Sequence, residues 1–372
     1  MKKLLCITLS LILFITPLTV SADTAVPYSY VLMEGTTATL LYSDNGNAVF
    51  RPFHSAKLMT LLLVVEAIER GDLSFDTLIK TSAHANSMQG AQIWLSVGEE
   101  ISVHELVLAI TVGNANDACV ALAEAVARSE DDFVRLMNQK ADELGMAETK
   151  YVDSTGLSYN GKTTACDIAI LASELTKYPY LTEYFNTWMI NVRENTQLVN
   201  TNRLILSYDL LTGMKAYYSE DCKNCLIATA DKNGMTMVCV IMGEPDEFER
   251  FSAAKEKLNT GFAAYTMYKP RPEKFICENV KVSKGVATEI ETEIGELSSF
   301  VIRKSREDDI EFHAEYYKNL QAPIKKGDTV GRFIFTIDDE EVFSLPIVSS
   351  SEVKKLNFFT AFLKLLGNLV AM

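Results

Sequence analysis

The chain has 372 residues, of which 48% are hydrophobic and 23% charged, with 18 glycines and 9 prolines. This is the composition of an ordinary globular protein with room for about two domains, and it excludes a disordered or collagen-like chain. The formal net charge is −14. Because nucleic-acid binding needs clustered Lys and Arg, we expect no nucleic-acid partner.

The N-terminus has the pattern of an export signal. Lys2 and Lys3 precede an apolar run over residues 4–16, and small residues follow at positions 20–22. The run is too short to cross a membrane comfortably, which disfavours the alternative of a short anchor. The sequence therefore predicts a signal peptide over residues 1–22 and an exported chain that is either secreted or peripheral on the cytoplasmic membrane.

The next 250 residues mix strands and helices. Short β-like runs separated by turn signals occupy positions 28–49. Apolar periodicity, capping residues and terminating glycines then predict helices, and two apolar runs predict buried strands. The helices cover residues 57–70, 103–112, 117–128, 130–144 and 250–265, and the strands cover 225–229 and 235–242.

The last hundred residues change in character. Pro270 and Pro272 predict a linker, because paired prolines stop a helix and stiffen the chain. Short alternating runs over residues 275–348 predict a small all-β domain.

Residues 351–372 have helical periodicity and predict an amphipathic helix. Lys354 and Lys355 stand at its entry, and Lys364 makes a membrane span less favourable. We expect this helix to lie on the outer face of the cytoplasmic membrane, the alternative being a helix packed on its own domain. The apolar face consists of Leu356, Phe359, Phe362, Leu363, Leu366, Leu369 and Val370.

Cys222 and Cys225 form an isolated C-x-x-C pair. Zinc needs about four ligands, and neither a second cysteine pair nor a histidine pair stands at suitable spacing. We therefore expect no metal and no cofactor. A local disulfide and free thiols remain the alternatives for the pair.

Five stretches in this order resemble the exported low-molecular-weight penicillin-binding proteins that act as serine D-alanyl-D-alanine carboxypeptidases. The resemblance covers nearly the whole chain, and its order is more specific than any one motif. The stretches are Arg51-Pro52 before Lys57-Leu58-Met59-Thr60, Asn116-Asp117-Ala118, Leu198 to Ile205, Ala322-Pro323 with Lys326-Gly327, and the C-terminal helix.

The resemblance implies an α/β (α+β) fold and a peptide substrate from peptidoglycan. It implies a penicillin-binding, β-lactamase-like transpeptidase domain over residues 23–269, with an antiparallel sheet flanked by helices. A small all-β domain over 270–350 and the helix at 351–372 would follow. The substrate of such proteins is the peptidoglycan stem peptide.

The family's first motif is a serine one helical turn before a lysine, so that the amine can take the hydroxyl proton. Lys57 is kept here, but the matching serine position holds His54. Ser55 is two positions from the lysine, about 200° around a helix, and is predicted to face away. His54 is either a substitute nucleophile or base, or a side chain that fills the vacated site; we prefer the second, because an imidazole gives no stable ester intermediate.

The other two motifs, S-x-N and K-T-G, are also altered. Asn116 is kept, but Asn114 replaces the serine and its amide cannot relay a proton at neutral pH. The strand motif reads Lys215-Ala216-Tyr217. Since alternate strand residues share a face, Tyr217 is predicted beside Lys215, where it would obstruct a ligand that glycine admits.

Substrate binding in the family also uses an arginine that helps to hold the terminal carboxylate. Arg250 stands at that position, with a solvated surface arginine as the alternative. The resemblance thus implies a substrate-binding set of Asn116, Lys215, Ala216, Tyr217 and Arg250.

The replaced residues are those that make and break bonds or admit substrate. The sequence therefore predicts a catalytically inactive homologue that binds stem peptides or a cell-wall enzyme. Two alternatives remain: an active D,D-carboxypeptidase with Ser55 as a displaced nucleophile, and an interaction protein whose cleft is closed by His54 and Tyr217.

Overall fold

The structure is a computed structural model that describes residues 26–193, 195–358 and 362. The predicted signal peptide and most of the predicted C-terminal helix lie outside the described residues. No helix in the described ranges is long and apolar enough to cross a membrane.

Eight α-helices are formed by the described residues, and their positions follow the sequence periodicity closely. They are α1 (Ala56–Glu69), α2 (Ala83–Asn86), α3 (Val103–Thr111), α4 (Asn116–Ala127), α5 (Glu130–Glu143), α6 (Ala165–Leu175), α7 (Leu181–Asn186) and α8 (Glu249–Ala264).

The strands fall into two groups, before and after the end of α8. The first group is β1 (Ser29–Glu34), β2 (Thr39–Asp44), β3 (Val49–Phe50), β4 (Leu78–Lys80), β5 (Glu100–Ser102), β6 (Thr163–Thr164), β7 (Met189–Val192), β8 (Thr196–Val199), β9 (Leu211–Ser219), β10 (Lys223–Lys232) and β11 (Met235–Glu244). The second group is β12 (Tyr265–Tyr268), β13 (Val280–Lys281), β14 (Glu289–Ile290), β15 (Thr292–Ile294), β16 (Phe300–Arg303), β17 (Glu311–Tyr316), β18 (Thr329–Ile337) and β19 (Glu340–Ser349).

A five-stranded antiparallel sheet in the order β2-β1-β11-β10-β9 organises the first part of the chain. One face packs on α6 and α7, with α1, α3 and α4 completing the core on that side, and the other face packs on α8. Burial on both faces explains why β10 and β11 read as continuous apolar runs. Strand β9 is the outermost, and it carries Lys215 and Tyr217. The predicted antiparallel sheet flanked by helices is confirmed.

The helix boundaries are set by side-chain caps. The Ser102 hydroxyl accepts the Glu105 N–H at 3.2 Å, and the Ser129 hydroxyl accepts the Asp132 N–H at 3.1 Å. Each satisfies a donor that a helix start leaves free. Helix α5 buries Phe133, Met137 and Ala141, whereas Leu136 is 38% exposed.

The all-β region is built on the sheet β15-β19-β18-β17, with Phe335 fully buried at its centre. Strand β12 pairs with β16, so pairing with this region already begins at Tyr265, before Pro270. At the other end, Val353 is buried and bridges Ile324. The helix predicted for residues 351–372 therefore does not begin at 351, because this backbone is paired to the β region.

Candidate active site

Lys57 lies in the first turn of α1 and is only 1% exposed. Its Nζ donates to Asn116 Oδ1 at 2.6 Å and to the Thr155 carbonyl at 2.7 Å. Both acceptors are neutral, and burial lowers the pKa of Lys57. The amine that would serve as base in this family is thus held by two protein oxygens.

His54 lies in a 3-10 turn, Phe53–Ser55, directly before α1. Burial, reinforced by the nearby cations of Lys57 and Lys215, lowers the pKa of His54 from 6.5 to about 2. The imidazole is therefore neutral at physiological pH. It contacts Asn114, while its Nδ1 is buried without a hydrogen-bond partner.

Ser55 is buried, and its hydroxyl donates to the Pro52 carbonyl. The Lys57 amine donates to Asn116 and Thr155 instead. The hydroxyl and the amine are therefore each engaged with other groups, and Ser55 has no adjacent base.

Asn114 and Lys215 form the second arm of the site. Lys215 Nζ donates to Asn114 Oδ1 at 2.6 Å and to the Ile110 carbonyl at 2.7 Å. Burial, and then the charge of Lys57, lowers the pKa of Lys215 to about 7. Asn114 adopts a left-handed φ of 56° in the turn between α3 and α4, a conformation that asparagine tolerates better than most residues.

Tyr217 projects from the same face of β9 as Lys215. Its ring stacks on His54, with centroids 5.6 Å apart and planes 28° apart, and lies 6.1 Å from Phe53. The side chain is 4% exposed, and its hydroxyl lies against Ser55 and Cys225 without a hydrogen bond of normal geometry to either. Burial raises the pKa of Tyr217, so the phenol stays neutral. A ring thus fills the position where the family motif has glycine.

Arg250 lies at the start of α8, on the far side of this strand. Its Nη1 donates to the Tyr217 carbonyl at 2.7 Å and to the Cys225 carbonyl at 3.4 Å, while Nε has no partner. The residue is 4% exposed, so the alternative of a solvated surface arginine is wrong. Burial lowers the pKa of Arg250.

An open groove of about 860 Å³ runs along the outer edge of β9. Thr201 Oγ1 donates to the Ala216 carbonyl at 2.5 Å, so a protein hydroxyl occupies part of this strand edge. The groove walls include Trp188, Asn200, Thr201, Tyr217, Tyr218 and Arg250.

One supporting segment was missed by the sequence reasoning: the loop that supplies the Thr155 carbonyl to Lys57. Burial opposes ionisation of Asp153, but hydrogen bonds from Thr155, Ser158 and Gly156 lower the pKa of this carboxyl below its usual value. The carboxylate therefore shapes the loop. An aspartate followed by Ser, Thr and Gly is a known turn signal and could have indicated the loop.

The structure therefore brings six of the predicted residues into one cluster, in which all but the partly exposed His54 are buried: His54, Lys57, Asn114, Asn116, Lys215 and Tyr217. Arg250 touches the same strand from the groove side. Ser55 donates to the Pro52 carbonyl and lies beside the Tyr217 hydroxyl.

The fold is an antiparallel sheet flanked by helices. It carries a lysine on α1, an asparagine at the start of α4 and a lysine on the edge strand, and this combination defines the penicillin-binding class of fold. Residues 16–246 match the family model described as D-alanyl-D-alanine carboxypeptidase, and residues 265–355 match the C-terminal domain of penicillin-binding protein 5. The chain belongs to the D-alanyl-D-alanine carboxypeptidase family, which confirms the resemblance.

Relatives match over most of their length. The D-alanyl-D-alanine carboxypeptidase DacF of Bacillus subtilis is 36% identical over 91% of this chain and 89% of its own. DacC of Escherichia coli is 26% identical over 92% and 88%. The crystal structure of penicillin-binding protein 5 from Haemophilus influenzae superposes with a TM-score of 0.79, covering 88% of this chain and 97% of that one at 24% identity, which supports the fold.

Proposed function

We propose that this protein is a catalytically inactive carboxypeptidase homologue of peptidoglycan metabolism that works by binding. The observation that carries the proposal is the stack of His54 on Tyr217, 5.6 Å between centroids, over two lysines that are bonded to protein oxygens. The space in which a serine would attack a peptide is occupied by side chains.

The geometry also offers no hydroxyl nucleophile with an adjacent base. A hydroxyl nucleophile needs an adjacent base, and the Ser55 hydroxyl donates to a carbonyl while the Lys57 amine is engaged elsewhere. The alternative of an active carboxypeptidase with Ser55 as a displaced nucleophile therefore finds no support in this geometry.

The first candidate ligand is a peptidoglycan stem peptide in the groove beside β9. Arg250 lies in its wall with an unpartnered Nε and with no carboxylate among its hydrogen-bond partners in the described residues. A buried guanidinium of this kind favours a ligand with a carboxylate.

The second candidate is a cell-wall enzyme docked on the same face. Large apolar side chains are exposed around the groove, with Leu206 at 62%, Phe248 at 56%, Tyr218 at 50% and Val199 at 48%. Clustered exposed apolar groups are typical of protein interaction surfaces.

The proposed location is outside the cytoplasmic membrane. Its support is the signal-like pattern of residues 1–22 and the amphipathic pattern that extends to residue 372. The test is fractionation of cells that express the full chain and a truncation after residue 357. Loss of the chain from the membrane fraction on truncation is expected.

Acylation by benzylpenicillin, followed by intact-protein mass spectrometry, tests the loss of catalysis. We expect no adduct on this chain and a stoichiometric adduct on the Bacillus subtilis relative run beside it. An adduct on this chain would overturn the proposal.

Calorimetric titration with a D-Ala-D-Ala peptide separates the two ligands. Affinity that is lost in Arg250→Gln but kept in Arg271→Gln, which changes an exposed arginine outside the groove lining, supports the stem peptide. No affinity in the intact chain leaves the wall enzyme as the ligand.

A further inference from the structure

The turn between β9 and β10 holds two reduced, buried thiols in mutual contact. Cys225 Sγ donates to the Cys222 carbonyl at 3.2 Å, and Cys222 Sγ donates to the Arg51 carbonyl at 3.5 Å. The two sulfurs also interact directly with each other. The two thiols are therefore in contact with each other.

The pair is joined to both sides of the filled cluster. Cys225 lies opposite Tyr217 in the β9–β10 ladder. Asp221, next to Cys222, forms an ion pair with Arg51, three residues before His54. The turn thus contacts the strand that carries the phenol and the segment that carries the imidazole.

The two thiols are unequal in acidity. The interaction with Cys225 lowers the pKa of Cys222, whereas burial raises the pKa of Cys225. A thiolate is the attacking species in disulfide exchange, so Cys222 is the residue that reacts first. Cys222 itself is buried, and its neighbours Glu220 and Asp221 at the outer end of the turn are exposed.

We propose that Cys222 and Cys225 form a dithiol–disulfide exchange site whose oxidant is an organic disulfide. The Cys222 thiolate attacks one sulfur of the disulfide, forming a mixed disulfide and releasing one thiolate. The Cys225 thiolate then attacks Cys222 Sγ, closing the protein disulfide and releasing the second thiolate. The two cysteines are oxidised, the reagent is reduced to two thiols, and both cysteine protons pass to solvent or product.

Oxidation changes the contacts of the cluster. It removes the two S–H groups that donate to the Arg51 and Cys222 carbonyls. It also links the start of β10 covalently to the turn. The oxidation state of the pair thereby acts on the segment before His54 and on the strand next to Tyr217. This inference does not depend on whether the chain hydrolyses or binds peptides.

The test is oxidation of the folded chain with oxidised glutathione, followed by denaturation, alkylation and intact mass measurement. We expect the oxidised chain to take up two alkyl groups fewer than the reduced chain, and dithiothreitol to restore both. In Cys222→Ser and Cys225→Ser this decrease by two alkyl groups, here called the paired loss, should not occur. The control Cys277→Ser, which removes a partly exposed thiol of the β region, should keep it.

Peptide mapping of the oxidised wild-type chain provides a second check, which does not depend on whether the variants fold. The peptide that contains both cysteines should be lighter by two hydrogens. Unchanged alkylation of the wild type, a paired loss that persists in Cys222→Ser, or a disulfide mapped to other cysteines would each overturn the proposal.

Discussion

Strand β9 separates two regions that differ in almost every physical respect. On its inner face, His54 and Tyr217 stack above two lysines that are each 1% exposed. Along its outer edge lies a groove of about 860 Å³ with exposed apolar groups and a partly unpartnered guanidinium. The inner cluster is packed like a core, whereas the groove keeps room for a ligand.

The difference shows what each region can do. Burying lysine cations among neutral oxygens is unfavourable, and it is tolerated here because each Nζ has two good acceptors. The family's charges thus remain as structural groups in the inner cluster. The groove side keeps room for a ligand, and its wall includes the half-exposed Tyr218 and the buried Arg250.

Reopening the inner cluster should produce the largest effect. A fourfold variant that restores the family motifs regains a nucleophile, its relay and space for substrate. We expect acylation by benzylpenicillin to rise from none to a stoichiometric adduct, with a rate gain on the order of 10⁶ if the full machinery returns. The changes are His54→Ser, Asn114→Ser, Ala216→Thr and Tyr217→Gly.

The matched control keeps His54 and carries the other three changes. It has the opened space but no serine, so mass spectrometry should show no adduct. An adduct on the control would show that another residue is the nucleophile, and the proposed inactivity could then not be explained by the loss of serine at position 54.

Neighbouring tyrosines on β9 provide the next test. Tyr217→Ala deletes a ring that is 4% exposed and should lower the free energy of unfolding by about 3–5 kcal/mol. Tyr218→Ala removes a ring that is 50% exposed on the groove side and should cost about 0.5 kcal/mol. Urea unfolding measures both, and equal losses would mean that the two sides of β9 are packed alike.

Much of the fold could be predicted from sequence because local signals agreed with the tertiary structure. Ser102 and Ser129 predicted helix starts, and the apolar runs of β10 and β11 predicted buried strands. The predicted start of the C-terminal helix at residue 351 was wrong, because Val353 pairs with Ile324 in spite of the helical periodicity of this segment. Local pattern does not report such long-range pairing.

The site was predictable as a set of positions but not as a set of contacts. Alternation along the strand placed Tyr217 beside Lys215, and the structure has them so. The engagement of Arg250 with the Tyr217 carbonyl and the contact of Lys57 with Thr155 join residues far apart in sequence. No local signal encodes the register that brings them together.

Acid should weaken the inner cluster through His54. Its pKa is about 2 in the folded chain, against 6.5 as the ordinary value, so between these pH values the unfolded chain binds one more proton. The stability contributed by the neutral His54 is fully present above pH 6.5 and is lost as the pH falls below it, by about 1.4 kcal/mol per pH unit. His54→Gln should remove this slope.

Urea unfolding between pH 6.5 and 4.5 measures the difference between the wild type and this variant. Subtracting the two curves cancels the carboxylates, which titrate in both chains. His313→Gln, which changes an exposed histidine of β17, controls for the loss of an imidazole elsewhere. Parallel curves for wild type and His54→Gln would mean that His54 takes up a proton in the folded chain.

Removing a single oxygen from the inner cluster should give the smallest effect and the opposite sign. The Tyr217 hydroxyl is buried beside Ser55 and Cys225 without a hydrogen bond of normal geometry, and an unsatisfied buried polar group is unfavourable. Tyr217→Phe keeps the stack on His54 and should raise the free energy of unfolding by about 1 kcal/mol. Tyr208→Phe is the matched control, because that buried hydroxyl bonds Asn259 at 3.0 Å and its loss should lower stability by a similar amount. If Tyr217→Phe is destabilising as well, the phenol oxygen is hydrogen-bonded in solution, with Ser55 and Cys225 as the neighbouring groups.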